Sequence, residues 1–413
     1  MKTIRRQIFN NPNTKLNKIY LPIIHILKNM NTNRFETFYD AVLAIVITIL
    51  VLKIPQPLSP EWGAFFANYV NLTTYLIVFL SIINIWFSNQ NLLQHIDDIN
   101  NKAIISYGIS IFFFSLFPYF ASWLSLNLYS LTAETIFGLI ILFGNISHVL
   151  SVVVLFGTSK STAKLNELNI KKIHFIFPII IILIGFIVSY TIFVPGIYLA
   201  CLISVILSII YNRRQGKKIE DTERFEALID AIIAIIITII VLEIPTAVNG
   251  DLSSLLELKL EFIAYAVSFI VCFNTWNFTY NLFSIINKIN YKSIWSISLG
   301  LFFLSLIPYL TTYVAMNFHE FVPQCLYGID FIAINICTII ATYEMKKIDE
   351  DNRFLQAAFQ NYNNFAINII FTAIFIIIGY LYYPPIIIIS CILSIAITWI
   401  FMTKKINLLS SLI

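Results

Sequence analysis

Long apolar runs alternate along the chain with short polar interruptions. Six runs, near residues 38–54, 66–88, 103–125, 133–157, 173–192 and 195–211, approach the roughly 20 residues needed to cross a hydrocarbon layer. Six more follow near 228–244, 257–282, 293–315, 324–345, 363–381 and 384–402. Each is expected to be a helix, because a lipid-facing span must satisfy its backbone groups within itself. The second set repeats the first at an offset of 190. "RFETFYDAVLAIVITILVLKIP" (34–55) returns as "RFEALIDAIIAIIITIIVLEIP" (224–245), with 14 of 22 positions identical. Tyr75 matches Tyr265, Asn84 matches Asn274, Trp86 matches Trp276, and "FFFSLFPY" (112–119) matches "FFLSLIPY" (302–309). Gly138 and Asn145 match Gly328 and Asn335. The register slips by four residues where Gly185 meets Gly379, and recovers at Cys201 and Cys391. A period of this kind marks a duplicated unit. The predicted fold is an all-α polytopic membrane protein, with twelve transmembrane helices as two six-helix repeats. An even number of spans returns the chain to its starting side, so the repeats are parallel rather than inverted.

Composition agrees with that pattern. The chain is 59% hydrophobic and 12% charged, about half the charged content of a soluble domain. Lysine and arginine then fix the orientation. With the N-terminus inside, the inner segments hold 24 of the 26 basic residues, and only Lys53 and Lys259 face outward. Both termini are therefore predicted to be cytoplasmic. Residues 1–33 read as a basic segment on the membrane surface and 34–211 as the first repeat. Residues 212–223 are a charged cytoplasmic linker, 224–402 the second repeat, and 403–413 a cytoplasmic tail. Residues 7–18 lack the apolar core of a secretory leader. With the Ile/Asn/Lys-rich usage, this points to a prokaryotic plasma membrane.

Little in the sequence speaks for catalysis. The five cysteines form no CxxC pair and lie in or beside apolar segments, as small core side chains do. The five histidines form no HExxH. No Ser/His/Asp spacing or phosphate loop is recognisable. No catalytic residue, metal or cofactor is expected, and no nucleic-acid partner; the bilayer is the expected surrounding.

Ionisable groups within spans are the informative residues. Asp40 and Asp230 sit about one turn inside the cytoplasmic end of the repeated helix, each six residues after Arg34 or Arg224. Six residues turn a helix by about 600°, so Arg and Asp of one helix lie about 120° apart and direct pairing between them is not expected. Both can join a polar network with Asn84, Trp86, Asn89 and Asn91, or with Asn274, Trp276, Thr279 and Asn281. The plainer alternative is an interfacial anchor, with Asp favoured by the helix dipole. Further along, Ile45, Thr48 and Leu52 share one helix face, and Ile235, Thr238 and Leu242 repeat it. That face is either a pore lining or an apolar surface whose Thr bonds back to its own helix. A secondary transporter using Asp40, Asp230, Asp330 or Glu344 as ion sites is the competing functional class. A non-conducting, partner-binding membrane protein is another.

These residues resemble the transmembrane protein 175 potassium channels of endolysosomes and prokaryotes, whose signature is Arg-x-x-x-Phe-Ser-Asp at the start of the first helix of a six-helix unit. "RFETFYD" (34–40) keeps Arg, Phe and Asp; "RFEALID" (224–230) keeps Arg and Asp. The Trp near the end of the second helix and the "SLxPY" of the third are similar too. The resemblance covers both repeats. It implies a potassium-preferring cation channel in which first helices of four units line the pore, so that a two-unit chain assembles as a homodimer. Carried across residue by residue, the aliphatic constriction falls on Ile45 and Ile235, with a further apolar layer at Leu52 and Leu242. A hydroxyl layer falls on Thr48 and Thr238. Arg34, Asp40, Arg224, Asp230, Trp86 and Trp276 form the signature network. Potassium is the expected permeant ion; a proton leak through the same pore is a variant reading. Three departures bear on the network. Tyr39 and Ile229 replace the signature Ser, Leu228 replaces Phe, and the His expected after the second-helix Trp is missing. At the outer mouth, Lys53 and Glu243 occupy equivalent positions, so two lysines and two glutamates would alternate around the ring and weaken its attraction for cations.

Overall fold

A computed structural model describes residues 30–93, 98–158, 173–214, 218–219, 222–358 and 363–410. The basic segment ahead of Met30 and parts of the charged linker lie outside the described residues. Each repeat begins with the duplicated helix: α1 (Thr32–Ile49), extended by a 3-10 turn over Leu50–Lys53, and later α8 (Glu223–Leu242). In the first repeat α2 (Trp62–Ala67), α3 (Tyr69–Leu93), α4 (Asn101–Leu126), α5 (Leu131–Thr158), α6 (Ile173–Thr191) and α7 (Gly196–Arg214) follow. The second continues with α9 (Leu252–Glu257), α10 (Lys259–Phe283), α11 (Tyr291–Met316), α12 (Phe321–Ile348), α13 (Arg353–Ala358), α14 (Asn363–Leu381) and α15 (Ile386–Ser410).

Among the described residues, eight helices are long and apolar enough to cross a membrane: α1, α3, α4, α5, α8, α10, α11 and α12. Shorter apolar stretches, Ile176–Thr191, Gly196–Ile210, Phe365–Leu381 and Ile386–Ile400, lie in α6, α7, α14 and α15. This is a multi-pass, membrane-embedded α-helical architecture. The periodic apolar signal is silent on three features. The single-turn helices α2, α9 and α13 are too short to carry a period. α15 also runs through 403–410, read from the sequence as tail. Two tiny ladders complete the set. β1 (Met30–Asn31) pairs antiparallel with β2 (Asp98–Ile99), and β3 (Lys218–Ile219) with β4 (Ile289–Asn290). Each ties the residues ahead of a first helix to the connection before the third helix of its repeat.

Local chemistry sets the helix ends. The side chains of Asn100 and Asn290 cap α4 and α11, accepting from the backbone N–H of Lys102 at 3.0 Å and Ser293 at 2.8 Å, as an N-cap asparagine does. Close packing is bought at two glycines. A Cβ at Gly328 would stand 2.8 Å from Ile387 Cγ2, and one at Gly379 2.6 Å from Ile387 Cγ1, so α12, α14 and α15 approach as small residues allow in membranes. α1 packs on α3 and α4, and α8 on α10 and α11, within their own repeats. The two repeats meet where α1 packs along α8. α11 leans against the first repeat as well: Ser305 Oγ accepts from Tyr75 Oη at 2.5 Å, and Tyr291 Oη donates to the Ile209 carbonyl at 2.9 Å.

Candidate functional site

At the end where α1 and α8 begin, three side chains from three helices converge. Asp40 of α1 accepts from the indole Nε1 of Trp86 on α3 at 2.9 Å. Its two oxygens also take Arg224 of α8 in a forked contact, Nη2 to Oδ1 at 2.8 Å and Nε to Oδ2 at 3.1 Å. Glu36, one turn before Asp40, holds the same guanidinium at 3.2 Å. The cluster is almost closed to solvent, and Trp86 packs at a tilt against Phe225 with ring centroids 5.4 Å apart. Charge-assisted, bidentate bonds of this kind are the strong ones. The helical rotation expected from the sequence holds, in that among the described residues no Arg bonds to the Asp of its own helix. The pairing runs between the helices of the two repeats, which spacing within one helix cannot show.

The same cluster stands half-built in the second repeat. Asp230 accepts from Trp276 Nε1 at 2.9 Å, but among the described residues no guanidinium reaches it. Arg34, the equivalent of Arg224, is exposed and makes no ion pair among the described residues. The asparagines divide differently from the expected network. Asn89 Nδ2 donates to the buried Tyr39 hydroxyl at 2.5 Å, and Asn89 Oδ1 accepts from Tyr107 at 3.2 Å. Tyr39, which stands where the family signature has Ser, is thereby wired to α3 and α4. Asn84 lines a small polar cleft with Ser81, Asn145, Ser204 and Ser208, away from Asp40. Asn274 accepts from Trp399 Nε1 at 2.8 Å, away from Asp230. Thr279 and Asn281 bond to carbonyls of their own helix, and the side chain of Asn91 lies outside the described residues.

The exposed stripes of α1 and α8 differ in a systematic way. On α1 and its 3-10 extension the open large apolar residues are Phe38, Ile45, Ile49 and Leu52. Asp40, Ala44, Thr48 and Val51 are buried, and α8 packs along this helix. On α8 the equivalents of that buried set, Asp230, Ala234, Thr238 and Val241, are all exposed. The equivalents of Phe38 and Ile49, Leu228 and Ile239, are buried instead. At about 100° per residue, the two open stripes are turned by roughly 90° from each other. Open or half-open in both helices are Ala41 and Ala231, Ile45 and Ile235, and Leu52 and Leu242. Thr48 has its hydroxyl spent on the carbonyls of Ala44 at 2.9 Å and Ile45 at 3.2 Å, whereas Thr238 is exposed and bonded to the Ile235 carbonyl. Ile49 had no part in the sequence reading; its exposure beside Ile45 is visible only once α8 is in place.

The flank of the molecule repeats the asymmetry. On α11, Phe302 and Tyr309 are buried against the first repeat, where Tyr309 accepts from Gln56 through its carbonyl at 3.2 Å and Tyr313 donates to the Ser59 carbonyl at 2.9 Å. On α4 the equivalent Phe112 and Tyr119 are 59% and 67% exposed. At the other end of the first helices Lys53 is exposed, while Glu243 Oε2 accepts from Thr312 at 3.4 Å.

The family described as endosomal/lysosomal potassium channel TMEM175 matches residues 34–118 and again residues 224–308. The two matches begin on the two arginines, Arg34 and Arg224, and end 190 residues apart. A curated potassium channel of Chryseobacterium sp. (strain P1-3) is 32% identical over 184 residues, 45% of this chain and 95% of that protein. The stretch shared with that relative is thus nearly its whole length but less than half of this chain, as expected for a unit that occurs twice here. The chain belongs to the TMEM175 family.

Proposed function

We propose that this protein is a potassium-preferring cation channel, with a pore lined by α1 and α8 and completed by a second copy of the chain. The observation that carries this reading is the complementary exposure of the two helices. The face buried on α1 is the face left open on α8, and two residues buried on α8, Leu228 and Ile239, have open equivalents on α1, Phe38 and Ile49. Repeating the α1–α8 contact twice more closes a ring of four helices around one axis. In that ring the partner subunit's Arg34 reaches Asp230, as Arg224 reaches Asp40, and the partner's α4 covers α10 as α11 covers α3.

Residues open on both helices then face the axis. Ile45 with Ile235 forms one aliphatic layer, and Leu52 with Leu242 a second. Thr48 and Thr238 stand beside the lining, at the seams, so their hydroxyls edge the pore rather than project into it. Arg34, Asp40, Trp86, Arg224, Asp230 and Trp276 act as the network that fixes the first helices. A helix spends its carbonyls on its own hydrogen bonds, so such a pore has no carbonyl cage, and a narrow aliphatic ring excludes ions by dewetting. Potassium passes more readily than sodium because its hydration shell is cheaper to strip. Twelve spans, both termini cytoplasmic, a homodimer, and a prokaryotic plasma membrane complete the reading; 34–211 and 224–402 are its two repeats, joined by 212–223.

Purified protein in liposomes, given first a potassium and then a sodium gradient, tests this. The expected result is faster potassium flux, with the ratio flattened in the double variant Ile45→Asn, Ile235→Asn. Absence of cation flux from protein shown to be folded and inserted would overturn the channel reading. An unchanged ratio in the variant would remove these residues from the constriction.

A further inference from the structure

Asp330 lies about 14 Å along α12 from Phe321, at a rise of 1.5 Å per residue, well inside a span. It is 6% exposed, its Oδ2 is buried with no hydrogen-bond partner, and no ion pair reaches it among the described residues. Around it stand Tyr327 and Cys337 of the same helix, Cys272 of α10 and Cys391 of α15, all within reach of its charge and all buried. None of these can neutralise a carboxylate. The helices that pack on α12 bring no cation to this level. The lysine of α11, Lys292, sits near the far end of α12 against Glu344 at 3.4 Å, and Tyr309 and Tyr313 of α11 point their hydroxyls to Asn68 and Ser59. α14 and the apolar stretch of α15 carry no charged residue. Beside the carboxyl, Ser268 Oγ is shared between Thr311 at 2.6 Å and Tyr327 at 2.9 Å, so these hydroxyls are already committed.

The arrangement exists in one repeat only. At the equivalent positions the first repeat has Ile140 for Asp330, Phe137 for Tyr327, Ile82 for Cys272, Val78 for Ser268 and Ala121 for Thr311. The fold therefore does not need an acid there. An ionised carboxylate left unpaired in an apolar interior costs several kcal/mol, and an intramembrane acid marks a functional site by default.

We infer that Asp330 is a proton-binding site in the core of the second repeat, occupied in the packed arrangement, and that release of its proton loosens the helices around it. The proton passes from the carboxyl to water as the site opens, leaving a hydrated carboxylate. One proton is released, so each pH unit draws the equilibrium toward the open arrangement by up to about tenfold. The inference does not depend on which ion the pore conducts.

The cysteines supply the test. Cys391 borders Asp330, whereas its equivalent Cys201 is buried in the first repeat within reach of Glu134, so every protein compared carries Glu134→Gln. Purified protein in nanodiscs is treated with a small maleimide between about pH 6 and pH 9, and the ratio of Cys391 to Cys201 modification is read by mass spectrometry; the ratio removes the ordinary pH dependence of thiols. The expected result is a ratio that rises at least about tenfold with pH while Asp330 is present and stays flat once Asp330→Asn is added. A flat ratio with Asp330 present, or an equal rise in both proteins, overturns the inference. A second measurement needs no variant. Dicyclohexylcarbodiimide, which attacks protonated carboxyls in apolar surroundings, should label the peptide carrying Asp330 at about pH 6, and absence of that adduct also overturns it. Neither readout uses ion flux, so failure here is distinct from failure of the channel reading.

Discussion

Reversing one charge separates the two kinds of seam in the proposed ring. Arg34→Glu places an acid opposite the partner's Asp230, whereas Arg224→Glu does the same to Asp40 within one chain. The size of the first effect follows from the pair already formed, with N–O distances of 2.8 and 3.1 Å. Removing one member of a buried, hydrogen-bonded charge pair at an interface costs about 2–5 kcal/mol. Asp230 is more open than Asp40, so screening lowers this to about 1–3 kcal/mol per seam. Two-fold symmetry gives two such seams, hence about 2–6 kcal/mol and roughly one to four powers of ten in dimer dissociation. Stepwise photobleaching of singly labelled chains in liposomes, diluted across several protein-to-lipid ratios, measures that shift. Arg34→Glu should yield single chains of native thermal stability. Arg224→Glu should instead destabilise the chain itself, by about 3 kcal/mol. Combining Arg34→Glu with Asp230→Arg rebuilds a reversed pair and should restore the dimer. If Arg34→Glu dimerises like the native protein, the cross-copy pair is wrong and the ring must close by other contacts.

Three further substitutions probe separate parts of the structure. Trp86→Phe removes the Nε1–H donated to Asp40 and should lower stability by about 1–2 kcal/mol, seen as a drop of a few degrees in a thermal melt. Gly379→Val drives a Cβ into Ile387, 2.6 Å away, and should cost about 1–3 kcal/mol; an unchanged melt would mean α14 and α15 separate freely. Lys53→Glu makes the outer ring wholly acidic and should raise single-channel current at low salt more than at high salt, while an equal current at all salt concentrations would leave Lys53 without influence on the permeating ion.

Spans and duplication are legible in this sequence because both are repeated signals: apolar length recurs, and so do particular residues at a fixed offset. The partners of Asp40 were half legible. Trp86 could be named, as a member of the polar cluster at the end of the second helix that recurs with Trp276. Arg224 could not, because helical rotation relates residues of one helix and is silent on which neighbour lies across the seam. The same limit applies to Thr48. Its spacing puts it on the Ile45–Leu52 face, yet a turn of some tens of degrees separates that open face from the buried one, and only the packed neighbours of α1 decide between them. Tyr39 shows a different limit. Read against a family signature it is a lost serine; in the fold its hydroxyl is held by Asn89 and its ring is fully buried.

The Arg224–Asp40 contact also has a consequence for assembly order. Its two halves belong to one polypeptide, so they meet at the high effective concentration that a tether confers. In the proposed ring half of the seams are therefore set before any second molecule arrives, and a single bimolecular encounter closes the rest. A pore built from four separate units passes through pairs and triplets on the way, each exposing raw edges. Here the number of first helices in any assembly is always even, and the dilution curve from closed ring to free chain has one step.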